Sequence, residues 1–214
     1  MSRATKLATS LTLLLLAPMA AWCAGSQLDT LLRSLERPAP SSTPFVEAHF
    51  SPLLTRPLVV SGELEYLGPD ALARTVEKPY RERSEIRDDT VTVERQGEPA
   101  QRFSLQRVPE MRSLLASFAA LLSGNVTALE GQFQLDLHGD AHLWTVGLTP
   151  RDPYVHQRIR SITVSGRGTE PRCLTTFEAN DDVTMTLLAG AAKTPLPAAP
   201  DRAWFDEQCR GSSG

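Results

Sequence analysis

The chain of 214 residues lacks most of the signatures that announce catalysis or nucleic-acid binding. No Gly-x-Ser-x-Gly stretch is present to form the sharp turn that exposes a serine nucleophile. No glycine-rich loop is present to cradle phosphates. There is no basic excess: 22 Lys and Arg face 25 Asp and Glu, for a net charge of -3. That balance argues against a phosphate backbone and against an electrostatic hold on anionic membranes. Cysteine is scarce, with 3 in the chain, and neither Cys173 nor Cys209 stands beside a plausible base. The carboxylate pairs Asp88-Asp89 and Asp181-Asp182 fall in turns, where solvation explains them. No internal repeat is visible, and no apolar run is long enough to span a bilayer comfortably. These absences point to a non-enzymatic protein that needs no cofactor and no metal.

The amino terminus carries an address. Arg3 and Lys6 precede an apolar stretch from Leu11 to Ala17, Pro18 ends it, and small residues follow at Ala20, Ala21, Ala24 and Gly25. This is the layout of a secretory signal, read as residues 1–24 and removed on export to a periplasm. Cys23 is preceded by Trp22, which is too large for a lipidation site. Residues 25–214 have the size of one domain. With Cys23 removed, Cys173 and Cys209 remain, the natural count for one disulfide in an oxidising compartment.

The body of the chain reads as α+β and mainly antiparallel. Leu28, Leu31, Leu32 and Leu35 fall at helical spacing, with Ser26 as the expected cap and Pro38 and Pro40 as stops. Alternation then takes over. Val46, Ala48 and Phe50 share one face of a strand. Val60, Gly62, Leu64 and Tyr66 share a face of the next, and Leu72, Arg74 and Val76 a face of the third. Closely spaced turns carry the chain through Val91, Val93, Phe103 and Leu105 as a meander. The period changes between Pro109 and Leu122, where Leu114, Leu115, Phe118, Leu121 and Leu122 form a broad helical stripe. Such a helix among strands fits a core helix and a movable lid over a cavity equally. Strands resume at Phe133 and run to Leu188, followed by an extended Pro/Ala-rich segment and a tail docked through Trp204 and Phe205. His138-Gly-Asp140-Ala-His142 is the cluster nearest to a metal-ligand spacing, but Gly139-Asp140 reads as a hairpin turn.

These residues resemble the LolA-type periplasmic carriers of outer-membrane lipoproteins, in a divergent, LolA-related form. The resemblance runs from about Leu28 to Leu188. It is carried by Phe45 and Phe50, by Ser61-Gly62-Glu63-Leu64, by Pro69 with Leu72 and Arg74, by Lys78-Pro79, and by Trp144 with Leu148-Thr149-Pro150. It implies an incomplete, curved β-barrel, with an N-terminal helix and a lid helix over an apolar concave face. It also implies a carrier of acylated lipoprotein or another acyl lipid, a monomer loaded by an inner-membrane ABC transporter and unloaded to an outer-membrane acceptor. Cavity residues are then expected at Phe50, Leu64, Tyr66, Leu72, Val76 and Phe103, and lid contacts at Leu114, Leu115, Phe118 and Leu122. The family's lid-latching Arg precedes the turn proline, where this chain has Gly68, so Arg74 is the candidate replacement. A lipid-sensing or regulatory domain of the same fold, signalling through a protein partner, is the alternative reading.

Overall fold

The computed structural model describes residues 21–68, 71–107, 119 and 122–211. Eleven strands form one antiparallel sheet among these residues: β1 (Ser41–Phe50), β2 (Leu58–Gly68), β3 (Ala71–Lys78), β4 (Glu82–Arg87), β5 (Thr90–Arg95), β6 (Gln101–Ser104), β7 (Phe133–Gly139), β8 (Trp144–Pro150), β9 (Ile159–Arg167), β10 (Glu170–Glu178) and β11 (Val183–Leu188). Their spatial order is β6-β5-β4-β3-β2-β1-β11-β10-β9-β8-β7. Two meanders are therefore joined where the first strand meets the last, with Phe45 opposite Leu188 and Phe50 opposite Val183. Strands β6 and β7 remain edges, so the sheet does not close into a barrel. Residues from β1 to β6 and from β9 to β11 nevertheless line one cavity, which requires the sheet to wrap around it.

Helices cover both faces. Helix α1 (Ala21–Ser34) buries Leu28, Leu31 and Leu32, with Leu35 just past its end, in a cluster with Phe133, Trp144, Val146 and Leu148. It already includes Ala21, so Ser26 lies within the helix and is not its cap. Helix α2 (Val126–Gln132) adds Leu129 to the same cluster, and the Asn125 side chain accepts a hydrogen bond from the Ala128 N–H at its start. Trp144 is 1% exposed and its indole N–H donates to the Gly168 carbonyl at 2.8 Å. That contact satisfies the one polar group the ring brings into the core. Helix α3 (Pro153–His156) joins β8 to β9 and is capped by Asp152.

The opposite face of β1, β10 and β11 is sealed by α4 (Ala189–Ala192) and α5 (Arg202–Arg210). Val46, Ala48, Met185 and Leu187 meet Phe205 there. Cys173 of β10 is bonded to Cys209 of α5, across 36 residues of sequence. The turns follow local chemistry. At the tip of the β7–β8 hairpin Gly139 takes a φ of 90°. The Asp140 carboxylate accepts from the His142 and Leu143 N–H groups at 2.7 and 3.0 Å. Those two bonds hold the carboxyl below its ordinary range. The His138–His142 stretch is thus a hairpin turn, and no group of metal-ligating side chains occurs among the described residues.

Candidate functional site

The wrapped sheet encloses a cavity of about 730 Å³. One wing of its wall comes from the first meander: Leu64, Leu72, Ile86, Val91, Val93 and Phe103 all face it. These positions alternate along β2 to β6, as a pleated surface with one lined face demands. Phe45 and Leu188, paired across the β1–β11 junction, continue the apolar surface, and Leu174 carries it onto β10.

The carboxylate of Glu47 interrupts this surface. Arg74 Nη2 donates to Glu47 Oε1 at 2.7 Å, and the Thr186 hydroxyl donates to Glu47 Oε2 at 3.0 Å. The guanidinium of Arg74 also lies 4.8 Å from the centre of the Phe45 ring. Both ends of the ion pair are less than a third exposed, at 29% and 26%. In such a setting the pair is held by its hydrogen bonds as much as by its charges. Further along the same face Thr184 Oγ1 lies 3.1 Å from His49 Nδ1, and His49 Nε2 lies 3.4 Å from the Asp182 carboxylate. Glu178 completes this end of the wall. Burial pushes its carboxyl above the usual range, nearby His49 opposes the rise and Asp182 adds to it.

The residues expected at the site are distributed as follows. Leu64, Tyr66, Leu72 and Phe103 line the cavity together with Arg74 and Leu122. Val76 shares the face of Leu72 and Arg74, but it is 1% exposed and closed in with Phe45, Val60 and Leu64. Phe50 stands on the other side of the sheet, where its ring meets Phe205 edge-on at 5.7 Å. Leu114, Leu115 and Phe118 lie outside the described residues. Leu122 sits on the wall, and its carbonyl accepts from the Arg37 N–H at 2.8 Å. Sequence reasoning missed Glu47, Thr176, Thr184 and Thr186. Thr184 and Thr186 alternate with Val183, Met185 and Leu187, a pattern that could have revealed them.

Similarity to known proteins agrees with this geometry. A family model described as outer membrane lipoprotein carrier protein LolA-like matches residues 20–211. No curated protein matches the sequence. Among solved structures, the chain is similar to the LolA superfamily protein NE2245 from Nitrosomonas europaea, with 9% identity and a TM-score of 0.44 over 78% of this chain and 91% of that one. It is also similar to LprF from Mycobacterium bovis, with 15% identity and a TM-score of 0.36 over 83% and 98% of the two chains. A third likeness is to a chain of the Pseudomonas aeruginosa MucA/MucB complex, with 14% identity and a TM-score of 0.41 over 86% of this chain and 60% of that one. These structural likenesses are distant, and the assignment rests on the family match, which spans nearly the whole chain. An open antiparallel sheet wrapped around an apolar cavity, with that match along it, makes the chain a member of the LolA-like outer membrane lipoprotein carrier family.

Proposed function

We propose that this protein is a periplasmic carrier that shields the acyl chains of a lipoprotein, or of another acylated lipid, between an inner-membrane ABC transporter and an outer-membrane acceptor. In this reading residues 1–24 are a removed signal and residues 25–214 are one carrier domain. The observation that carries it is the cavity of about 730 Å³ with its aliphatic wing. That volume falls within the range of small-molecule sites, roughly 300–1,000 Å³. An acyl chain gains about 0.8 kcal/mol for each CH₂ it buries, so a lined cavity is what lets it cross water. Leu122 on the wall directly follows the segment of Leu114, Leu115 and Phe118, which supports a lid role for that segment. Arg74 as a latch would have to exchange its Glu47 partner for the lid.

Native mass spectrometry with lipid extraction, on protein recovered from a periplasm, tests the reading. The expected result is a bound acyl species that Leu72→Asp abolishes. Consistently empty protein, or a copurifying polypeptide in place of lipid, would overturn the carrier and favour the partner-binding alternative.

A further inference from the structure

The two ends of the sheet differ in what they show to solvent. The pairing register fixes which loops share an end. Phe50 is opposite Val183, Leu58 is opposite His49, and Lys78 is opposite Ser61. Glu82 is opposite Arg95, Ile159 is opposite Glu178, and Leu148 is opposite Ile162. The connections 51–57, 79–81, 96–100, 151–158 and 179–182 therefore all leave the sheet at one end. Large exposed apolar or aromatic side chains concentrate there: Leu53, Leu54, Leu58, Tyr80 and Tyr154. The opposite end has Leu143, at the β7–β8 hairpin.

Two further features indicate what this end meets. The first is the β1–β2 loop, which holds its leucines outward. Leu53 is 93% exposed. Pro52 and Pro57 restrict the backbone on either side. The Leu53 N–H donates to the Ser51 hydroxyl at 3.3 Å and the Leu54 N–H to the Ser51 carbonyl at 3.0 Å. The tip is thus tied into a turn, with its apolar side chains left to water. The second is charge. The whole chain is acidic, at a net -3, but this corner is not. Arg56 shares the loop of Leu53 and Leu54, and Lys78 and Arg81 bracket Tyr80. All three cations are exposed, and none has an ion-pair partner among the described residues. Glu77 is the exposed acid beside them, while Glu82 and Glu98 are both engaged by Arg95.

Leucine tips set among free cations and tyrosines match the layers of a phospholipid surface. Hydrocarbon takes the leucines, lipid phosphates meet the cations, and amphipathic rings sit at the boundary. A protein partner would have to complement tips carried by separate loops across the sheet end, whereas a fluid bilayer conforms to them. We propose that this end of the sheet docks on an anionic phospholipid bilayer, with Leu53 and Leu54 entering the hydrocarbon and Arg56, Lys78 and Arg81 on the phosphates. The docking surface goes beyond the carrier reading and does not depend on it. It brings the end of the cavity wall that carries Glu178 and Thr184 to the membrane.

Flotation of the purified chain with vesicles of phosphatidylcholine and phosphatidylglycerol in equal parts tests this. The unaltered protein is expected to float with them, and more weakly with phosphatidylcholine alone. Leu53→Asp is expected to weaken binding to both at least about tenfold, the worth of one buried leucine. Arg56→Ala is expected to weaken binding to the anionic vesicles about fivefold, the worth of one charge near the surface, and to leave phosphatidylcholine binding unchanged. Leu143→Asp, at the opposite end, should keep full binding. Thermal melting of each variant confirms that it folds. Leu72→Asp, on the cavity wall, should keep vesicle binding while losing its cargo, so this surface and the carrier reading fail separately. Flotation that Leu53→Asp leaves intact would overturn the docking surface. So would an absence of flotation, and capture of a polypeptide by a crosslinker placed at Leu53 would then assign this end to a protein partner.

Discussion

Arg74 stands on the cavity-facing side of β3, and what holds it there is a residue on a strand 27 positions earlier. Replacing it by leucine leaves the Glu47 carboxylate with only the Thr186 hydroxyl. Arg74→Leu should therefore cost about 1–3 kcal/mol in urea unfolding, the penalty for a partly buried group losing its partner. Adding Glu47→Gln to it should recover part of that loss, which a double-mutant cycle would read directly. Glu178 offers a pH-dependent case. Burial raises its carboxyl in the folded state, so the folded protein holds that proton more tightly than the unfolded chain. The resulting penalty is absent below the ordinary carboxylate range and accumulates as pH rises through the raised value. Glu178→Gln should accordingly raise the melting temperature at pH 7.5 and make no difference near pH 4. At this scale the sequence was legible where one strand face is lined and the other is not: Leu64, Tyr66, Leu72 and Arg74 follow from alternation. It was misleading at Phe50, because β1 packs on both faces and alternation groups residues without saying which group turns inward. Glu47 was invisible for a related reason, since its only sequence mark is a charge and its partners come from distant strands.

Packing between elements sets narrower limits than the strand pattern suggests. A Cβ added to Gly62 would strike the backbone carbonyl of Thr75, at the register shift where β2 pairs with β3. Gly62→Ala should destabilise the protein by about 1–3 kcal/mol or force that shift to rearrange, seen as a lower urea midpoint. The Cys173–Cys209 bond is the covalent counterpart. It closes 36 residues and ties α5 to the face of the sheet away from the cavity. Replacing both cysteines by serine should cost about 2–4 kcal/mol under oxidising conditions. Elements governed by period or turn chemistry were readable in advance: the eleven strands, the Asp140 hairpin and the leucine stripe of α1. Helices α2 and α5 were not. Gly124-Asn125 reads as the end of a preceding helix, whereas the Asn125 side chain caps the start of α2. Arg202–Arg210 reads as a tail docked through Trp204 and Phe205, and it becomes a helix through the Asp201 cap and the burial of Phe205 and Cys209.

The whole sheet is a container with an open side. Its edges β6 and β7 stay apart, so the β2–β6 wing and the β1–β11–β10 wall are held at a set spacing only through the strands between them. A ligand that fills the cavity should stabilise the fold by mass action, about 2.7 kcal/mol at a hundred times its dissociation constant. An acyl amphiphile that enters the cavity is therefore expected to raise the melting temperature of the unaltered protein and to leave that of Leu72→Asp where it was.

The β1–β11 junction reaches further than geometry. Its two strands sit side by side although most of the rest of the chain separates them in sequence. Contacts of that range form late, after their loop-closure entropy has been met. A polypeptide that emerges amino terminus first can build the β1–β6 meander early, with its aliphatic side still uncovered. The β1–β11–β10 wall that would oppose it waits for the final strand. During synthesis the molecule thus has a sticky half-shell before it has an interior. A chain cut just before Val183 would keep ten of its eleven strands and lose the junction through which the two meanders enclose the cavity.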